Sequence, residues 1–111
     1  MSEGHRDRYM RLLVFFDLPM QTAVQRKRYS QFRRYLVKDG FLMIQKSVYA
    51  KLAINEASAA GTIGRLRKNK PPSGLVQVLR VTEKQFACME CITGKQLEHA
   101  EVDTSECLLV L

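Results

Sequence analysis

One aspartate stands where an apolar segment of the chain stops. Residues 11 to 19 read RLLVFFDLP, so Asp17 directly follows the apolar run 12 to 16 and lies two residues before Pro19. A carboxylate at the end of a central strand is well placed to bind Mg²⁺, a hard cation that prefers oxygen ligands. The alternative is structural, because aspartate often caps a turn. We therefore predict Asp17 as a metal ligand or as a turn cap.

A single carboxylate makes a sparse metal site. Nucleases that use metal ions usually gather several acidic ligands, and the nearest other acidic residues, Asp39 and Glu56, fall at the ends of different predicted elements. A two-fold axis between two copies of the chain could supply a second Asp17.

Basic residues in two stretches form the second candidate site. Residues 1 to 84 contain 17 Lys and Arg against 6 Asp and Glu, and the whole chain has a net charge of +7. Such an excess attracts a polyanion and predicts salt-sensitive contact with phosphates, with no sign of base recognition. The alternative is a solvated helix surface, and for the second stretch cations at a helix C-terminus. The candidates are Arg26, Lys27, Arg28, Arg33, Arg34, Lys38, Arg65, Arg67, Lys68 and Lys70.

Two cysteines have the spacing of a zinc-binding pair. Cys88 and Cys91 are separated by two residues, and His99 with Cys107 would complete four ligands. The pair lies in or beside a predicted strand, where a three-residue separation directs the side chains to opposite faces. We therefore interpret these cysteines as small buried side chains.

The elements that position these residues follow from periodicity. The apolar run 12 to 16 predicts a strand buried on both faces, which Pro19 ends. Thr22 can cap a helix that runs to about Lys38. On that helix Tyr29, Phe32 and Leu36 form the stripe that faces the core.

The rest of the chain alternates strands and helices. Residues 41 to 52 alternate apolar side chains, Leu42 to Leu52, with polar ones and predict a half-exposed strand, with Lys46 breaking the pattern. Asn55 can cap a second helix with Ala59, Ile63 and Leu66 inward. Residues 74 to 81 predict a third strand, residues 87 to 93 a fourth, and ECLLVL at 106 to 111 a short last strand.

We predict the order β-α-β-β-α-β followed by an extra strand, which is the α+β ferredoxin-like sandwich with the first strand central and both helices on one face. Because the first and third strands are apolar at both parities, the other face should be covered by a second copy of the sheet. A homodimer packed through its sheets is therefore expected.

Length and composition bound the remaining possibilities. A chain of 111 residues with 46% hydrophobic residues suits one domain, residues 1 to 111, in which 1 to 9 form an N-terminal extension that we expect to be flexible. No apolar run is long enough for a membrane span, and residues 1 to 10 lack the apolar segment of a signal peptide. These observations predict a cytoplasmic protein with no membrane partner.

Three stretches carry a family resemblance: MRLLVFFDLP, FRRYLVKDGFLMIQKSVYAKL and LVQVLRVTEKQF. Together they resemble CRISPR-associated protein two, most closely its variety from type II CRISPR systems. The resemblance implies a ferredoxin-like homodimer that joins the adaptation integrase, CRISPR-associated protein one, to insert spacers into a CRISPR array. It also implies a Mg²⁺-dependent endonuclease, with Asp17 at the position of the catalytic metal ligand.

The same resemblance assigns duplex phosphates to the basic residues after the first strand and on the first helix, Arg26, Lys27 and Arg28 among them. It assigns contact with a neighbouring subunit to the last strand, Cys107, Leu108, Leu109, Val110 and Leu111. Our hypothesis is a homodimeric scaffold that binds double-stranded DNA and bridges integrase dimers. The alternative is a free-standing metal-dependent endonuclease acting on DNA or RNA.

Overall fold

Four antiparallel strands and three helices make up residues 9–94, the part of the chain that the computed structural model describes. The strands are β1 (Met10–Asp17), β2 (Leu42–Gln45), β3 (Val48–Ala53) and β4 (Leu75–Thr82), and the helices are α1 (Ala23–Lys38), α2 (Glu56–Lys68) and α3 (Glu83–Ala87). The sheet order is β2-β3-β1-β4. This α+β arrangement is consistent with the predicted ferredoxin-like fold.

Strand β1 lies at the centre of the sheet, as its apolar sequence predicts. It pairs antiparallel with β3 on one side and with β4 on the other. Leu12, Val14 and Phe16 point into the core below the helices and are buried. Leu13, on the opposite side, is also buried, whereas Phe15 remains exposed.

Both long helices begin at the predicted caps. The Thr22 hydroxyl accepts a hydrogen bond from the backbone N–H of Gln25 at 3.1 Å, and the Gln25 side chain accepts one from the Thr22 N–H at 3.0 Å. The Asn55 side chain accepts from the Ser58 N–H at 2.8 Å at the start of α2. These contacts satisfy N–H groups that have no partner within the helix.

The predicted inward stripes of α1 and α2 are confirmed. Tyr29, Phe32 and Leu36 are buried against β1, and the Phe32 ring meets the Phe16 ring edge-on with centroids 5.2 Å apart. Ala59 and Leu66 of α2 are buried in the same cluster, while Ile63 is partly buried beside it. The two helices therefore share one core on one side of the sheet.

Residues 41 to 52 form two strands rather than one. β2 and β3 pair antiparallel across a turn at Lys46 and Ser47, with an irregularity between Met43 and Gln45. Burial also departs from the apolar alternation, because Tyr49 is fully buried beneath the helices whereas Leu42 is 71% exposed. Tyr49 can occupy the core because its hydroxyl receives a hydrogen bond from Arg33 at 2.9 Å.

The fourth strand predicted at residues 87 to 93 is wrong. The segment predicted as the third strand is β4, the edge strand beside β1, and α3 follows it directly. A capping box between Thr82 and Gln85 starts α3, and residues 88 to 94 contain no strand. The last strand predicted at 106 to 111, like residues 1 to 8 of the N-terminal extension, lies outside the described residues.

The side of the sheet away from α1 and α2, which we call the open side, is largely apolar between Arg11 and Asp17 at the two ends of β1. Leu13 pairs with Ala50 on one neighbour and with Leu79 on the other, and paired residues share a side of the sheet. The exposed hydrophobic residues of this side are Phe15, Leu42, Leu52, Leu75 and Leu79. The small helix α3 contacts the open side at Arg11 of β1.

Candidate strand-end carboxylate and basic helices

Asp17 is the last residue of β1 and lies opposite Leu75 of β4. Its side chain is exposed on the open side of the sheet, which confirms the predicted location at the end of the central strand. Within residues 9–94 the carboxylate accepts no hydrogen bond and forms no ion pair. The alternative role as a turn cap is therefore not supported.

Most of the other described carboxylates have cationic partners. Asp39 binds Arg65 with an N–O distance of 2.8 Å, and Lys51 lies 3.5 Å away. Glu56 binds Arg80 at 2.7 Å. Glu83 forms a two-point contact with Arg11, as described below. Over the described part of the chain, only Asp17 and Glu90 lack such a partner.

A magnesium ion fits the chemistry of Asp17 but needs further ligands. Mg²⁺ typically keeps several waters and is held by one or two carboxylates together with substrate phosphates. Asp17 can supply the one carboxylate, because it is exposed and has no partner within residues 9–94. Residues 9–94 contain no group of three side chains that could hold a metal ion together. Asp39 and Glu56 cannot contribute, since both are engaged with cations elsewhere.

Gly74 fixes the backbone next to Asp17. Its φ angle is +95°, in the left-handed region that favours glycine over residues with a side chain. A Cβ atom at this position would lie 2.6 Å from Leu18 Cδ2 and 2.9 Å from the Asp17 carbonyl oxygen. The turn that leads into β4 therefore passes directly against the end of β1.

All ten predicted phosphate-binding residues are exposed, but three arginines have partners within the chain. Arg26 donates to the carbonyl oxygens of Met20 and Gln21 at 3.2 and 3.1 Å. Arg33 donates to the Tyr49 hydroxyl, and Arg65 donates to Asp39 and to the Thr62 hydroxyl. These three guanidinium groups therefore already donate hydrogen bonds to other residues of the same chain.

Two of these contacts also change the titration of the arginines. The hydrogen bond with Tyr49 raises the pKa of Arg33. The hydrogen bond with the Asp39 carboxylate raises the pKa of Arg65. Both groups therefore remain charged across the physiological range, and their charge is partly directed to an internal partner.

The other seven candidates make no hydrogen bond or ion pair with residues 9–94. They lie on α1 and around the end of α2. Lys27, Arg28, Arg34 and Lys38 are on α1, Arg67 and Lys68 are in the last turn of α2, and Lys70 is in the linker that follows. Arg28 lies beside Pro19, Pro71 and Pro72, which line one small crevice. The α2–β4 linker thus passes close to the beginning of α1.

The cysteine pair does not lie in a strand. Cys88 caps the C-terminus of α3, and Cys91 is exposed, so the interpretation as small buried side chains is wrong for Cys91. His99 and the candidate interface residues Cys107 to Leu111 lie outside the described residues. No helix of the described part is long and apolar enough to cross a membrane.

Sequence patterns did not reveal a contact between β1 and α3. Both nitrogens Nε and Nη2 of Arg11 bind the Glu83 carboxylate, the latter at 2.9 Å, and the guanidinium lies 4.8 Å from the Phe86 ring centroid. The segment VTEKQF supplies both partners. The Thr82 and Gln85 spacing could have identified this helix, because it is the signature of a capping box.

The chain is a small α+β domain in which two helices cover one side of an antiparallel sheet and expose cations, while a strand-end carboxylate lies on the other side. The family described as CRISPR associated protein Cas2 matches residues 10–89. The chain is 52% identical over 102 residues to the CRISPR-associated endoribonuclease Cas2 of Treponema denticola, covering 92% of this chain and 100% of that protein. This chain belongs to the Cas2 family.

Two further relatives bear the same name. The CRISPR-associated endoribonuclease Cas2 of Streptococcus mutans serotype c is 45% identical over 87 residues, 78% of this chain and 80% of that protein. The protein of that name from Ligilactobacillus salivarius is 44% identical over 89 residues, 80% of this chain and 88% of that protein.

Proposed function

We propose that this chain is the double-stranded DNA-binding subunit of a CRISPR adaptation complex in the cytoplasm. It acts as a homodimer that bridges dimers of the integrase, CRISPR-associated protein one. The observation that carries the proposal is the division of the molecule into an apolar side and a basic side. The open side of the sheet suits a second copy, and the exposed cations of the helices suit phosphates.

The apolar side supports the dimer. Leu42, Leu75 and Leu79 are each at least half exposed, although they lie on the same side of the sheet as the buried Leu13. Covering exposed apolar surface is favourable by about 25 cal/mol for each Å² removed from water. Packing two sheets through this side would also bring the Asp17 carboxylates of the two copies to the same interface.

The oligomeric state tests the first half of the proposal. We expect light scattering at micromolar concentration to give a dimer, and Leu79→Asp to convert it to a monomer because an unpaired charge would enter the interface. Val37→Asp is the matched control, since Val37 is exposed on α1. A monomeric unmodified chain would overturn the dimer.

Duplex binding tests the second half. We expect the unmodified chain to bind a random-sequence DNA duplex with an affinity that falls steeply with salt, as phosphate contacts require. Pull-down of the purified integrase by the dimer, with and without duplex, tests the bridging role. No duplex binding at low salt would contradict the scaffold.

A second candidate function is metal-dependent cleavage of phosphodiester bonds. It is favoured by the exposed Asp17 carboxylate, which has no partner within residues 9–94, and by relatives whose names describe endoribonucleases. Asp17 would hold Mg²⁺ through its carboxylate oxygens, and the ion would lower the pKa of a bound water for attack on phosphorus. The neighbouring Gly74 would keep the Asp17 backbone in a fixed position for that ligand.

Asp17→Asn separates the two functions. If the chain is a nuclease, cleavage of single-stranded RNA or duplex DNA should stop both with EDTA and in this variant, while the dimer and duplex affinity persist. Glu90→Gln is the matched control, because Glu90 is also a carboxylate without a partner among the described residues. Cleavage that survives in Asp17→Asn would point to a contaminating nuclease and would exclude this site.

A further inference from the structure

Three segments of the chain meet at the end of β1, where Asp17 lies. Gly74 approaches the Asp17 backbone from the β4 side. On the β3 side lies the two-residue turn between β2 and β3, Lys46 and Ser47, and the Phe16 N–H donates to the Ser47 carbonyl oxygen at 3.1 Å. One step further along these antiparallel strands, Lys46 comes beside Asp17. The hairpin turn therefore borders the candidate metal site.

Two hydrogen bonds from other elements hold the backbone of this turn. The first is the bond from the Phe16 N–H to Ser47. The second comes from the Tyr29 hydroxyl of α1, which donates to the Lys46 carbonyl oxygen at 3.3 Å. Tyr29 is itself buried, and its ring packs against Phe16 with centroids 5.7 Å apart. The main chain of Lys46 is thus fixed to the core beneath β1, while its side chain is exposed.

Lys46 differs from the other cations of the sheet in having no internal partner. The sheet and its hairpin turn carry four cations within residues 9–94, and three of them have carboxylate partners: Arg11 with Glu83, Lys51 with Asp39, and Arg80 with Glu56. The side chain of the fourth, Lys46, forms no hydrogen bond and no ion pair with residues 9–94. It is also the nearest to Asp17 in register, because the other three lie beside the half of β1 that begins at Met10.

Lys46 and Asp17 are oppositely charged neighbours, yet within residues 9–94 they do not form an ion pair with each other or with any other residue. Each group is therefore available to a ligand. Carboxylate oxygens suit Mg²⁺, whereas an ammonium group is a compact charge with three donors that suits phosphate oxygens. The two side chains together fit a metal ion and a phosphate held side by side.

We propose that Lys46 binds the non-bridging oxygens of the phosphodiester that would be held at Asp17 through Mg²⁺. The proposal rests on the second candidate function, metal-dependent cleavage, and adds to it a residue that binds the substrate. Negative charge develops on these oxygens as the phosphodiester is cleaved, and a fixed cation beside them stabilises the transition state more than the ground state. Lys46 forms no covalent bond and transfers no proton in this role.

Lys46→Gln tests the proposal, with Lys84→Gln as the matched control for loss of one positive charge. Lys84 is exposed, lies on α3 away from Asp17, and like Lys46 has no ion-pair partner within residues 9–94. Lys46→Arg restores the charge. Thermal unfolding should give the same Tm for all of these chains, because the hydrogen bond with Tyr29 uses the backbone of Lys46 and not its side chain.

Metal affinity gives a readout that does not depend on cleavage. Mn²⁺ replaces Mg²⁺ in a titration followed by electron paramagnetic resonance, without nucleic acid. A lysine beside Asp17 repels a divalent cation, so Lys46→Gln should bind Mn²⁺ about threefold more tightly at low salt. Lys84→Gln should match the unmodified chain, and Asp17→Asn should lose binding.

Cleavage should change in the opposite direction. Lys46→Gln should lower kcat/KM for a single-stranded RNA oligonucleotide in Mg²⁺ by about 30-fold, because a charge-assisted contact with the phosphate is lost. Most of the loss should fall on kcat, since the contact strengthens in the transition state. Lys46→Arg should recover most of the activity, and Lys84→Gln should match the unmodified chain.

Other results overturn the proposal. Equal behaviour of Lys46→Gln and Lys84→Gln would make Lys46 an ordinary surface cation. Tighter Mn²⁺ binding without a kinetic loss would show that Lys46 lies near the ion and does not bind the substrate. A kinetic loss that Lys46→Arg does not recover would assign the effect to the shape of the turn and not to its charge.

Failure of the nuclease function itself has a different signature. If the unmodified chain binds no Mn²⁺, the metal site and the role of Lys46 are both excluded. If it binds Mn²⁺ and cleaves nothing, the nuclease function alone fails, and fluorescence anisotropy with the same oligonucleotide in Mn²⁺ decides the role of Lys46. Lys46→Gln should then weaken binding relative to Lys84→Gln, and equal affinities would contradict the proposal.

Discussion

Helices α1 and α2 pack side by side on the same core, yet they distribute charge in opposite ways. In α2 an acidic residue opens the helix and basic residues close it, so its charges support the helix dipole. In α1 six cations stand without one acidic residue. The comparison teaches that cations can support one helix and oppose the dipole of another within the same fold. Placement along the helix and contact with internal partners distinguish the two helices, whereas the presence of basic residues does not.

The largest expected effects on stability come from the hydrophobic core that α1 and α2 share. Leu36→Ala in α1 and Leu66→Ala in α2 each remove a buried side chain from the same cluster. Both should lower the free energy of unfolding by about 3 kcal/mol, measured by urea denaturation. Leu75→Ala on the exposed open side is the control. A loss below about 1 kcal/mol for either helix would show that it is not anchored as described.

The next largest effect concerns the ion pair between Arg65 of α2 and Asp39. Asp39→Ala removes the carboxylate that Arg65 and Lys51 share, and that carboxylate is only 14% exposed. We expect a loss of about 2 kcal/mol in the free energy of unfolding, because two charge-assisted contacts disappear. Glu56→Ala should cost less, since Glu56 meets Arg80 in a largely exposed pair. Equal losses of stability in the two variants would show that the Asp39 contacts contribute no more than an exposed surface ion pair.

Removing the caps should affect both helices alike. Thr22→Ala and Asn55→Ala each leave a backbone N–H of the first turn without its side-chain acceptor. Each should lower the free energy of unfolding by about 1 kcal/mol. Thr22→Ser and Asn55→Asp preserve an acceptor and should retain most of the stability. A large difference between the two caps would mean that tertiary packing, and not the cap, fixes one helix start.

The smallest effects are expected from variants that change the charge in the first turn of each helix. Gln25→Glu keeps the side-chain oxygen that accepts from Thr22 and introduces the acidic residue that α1 lacks. It should raise the free energy of unfolding by about 0.5 kcal/mol, whereas Glu56→Gln should lower it by about 0.5 kcal/mol. Gln25→Glu should also weaken duplex binding. If both variants shift stability in the same direction, the dipole argument fails.

Much of the core-forming architecture is predictable from local patterns. The apolar run before Asp17, the stripe of Tyr29, Phe32 and Leu36, and the cap at Asn55 each lie within one element, and each is confirmed. Such features need only neighbours in sequence. The location of Asp17 at the end of the central strand follows from them.

The failures arise where a distant residue decides the outcome. Tyr49 is buried because Arg33, on a different element, donates to its hydroxyl. Residues 41 to 52 were predicted as one strand because alternation continues through Lys46, although the turn there makes a hairpin. The strand predicted at 87 to 93 is wrong, and the prediction misses the capping-box spacing of Thr82 and Gln85, which marks a helix just before it.

The same reason limits prediction of the basic surface. A sequence pattern counts Arg65 and Arg34 alike, although Arg65 is bound to Asp39, a residue 26 positions away. Only the folded chain separates cations that hold the structure from cations that remain available. The helical spacing of Lys27, Arg34 and Lys38 already places them opposite the core stripe, and the structure adds that they bind no other residue among 9–94.

Gly74 has a consequence for mutational scanning of this domain. It is exposed, so a score based on solvent accessibility would rank it among the tolerant positions. Its conformation and its approach to the Asp17 carbonyl leave no room for any side chain, even a methyl group. In a saturation library selected for folding, position 74 should therefore be depleted of substitutions as strongly as the interior leucines, while its neighbour Ser73 accepts most of them.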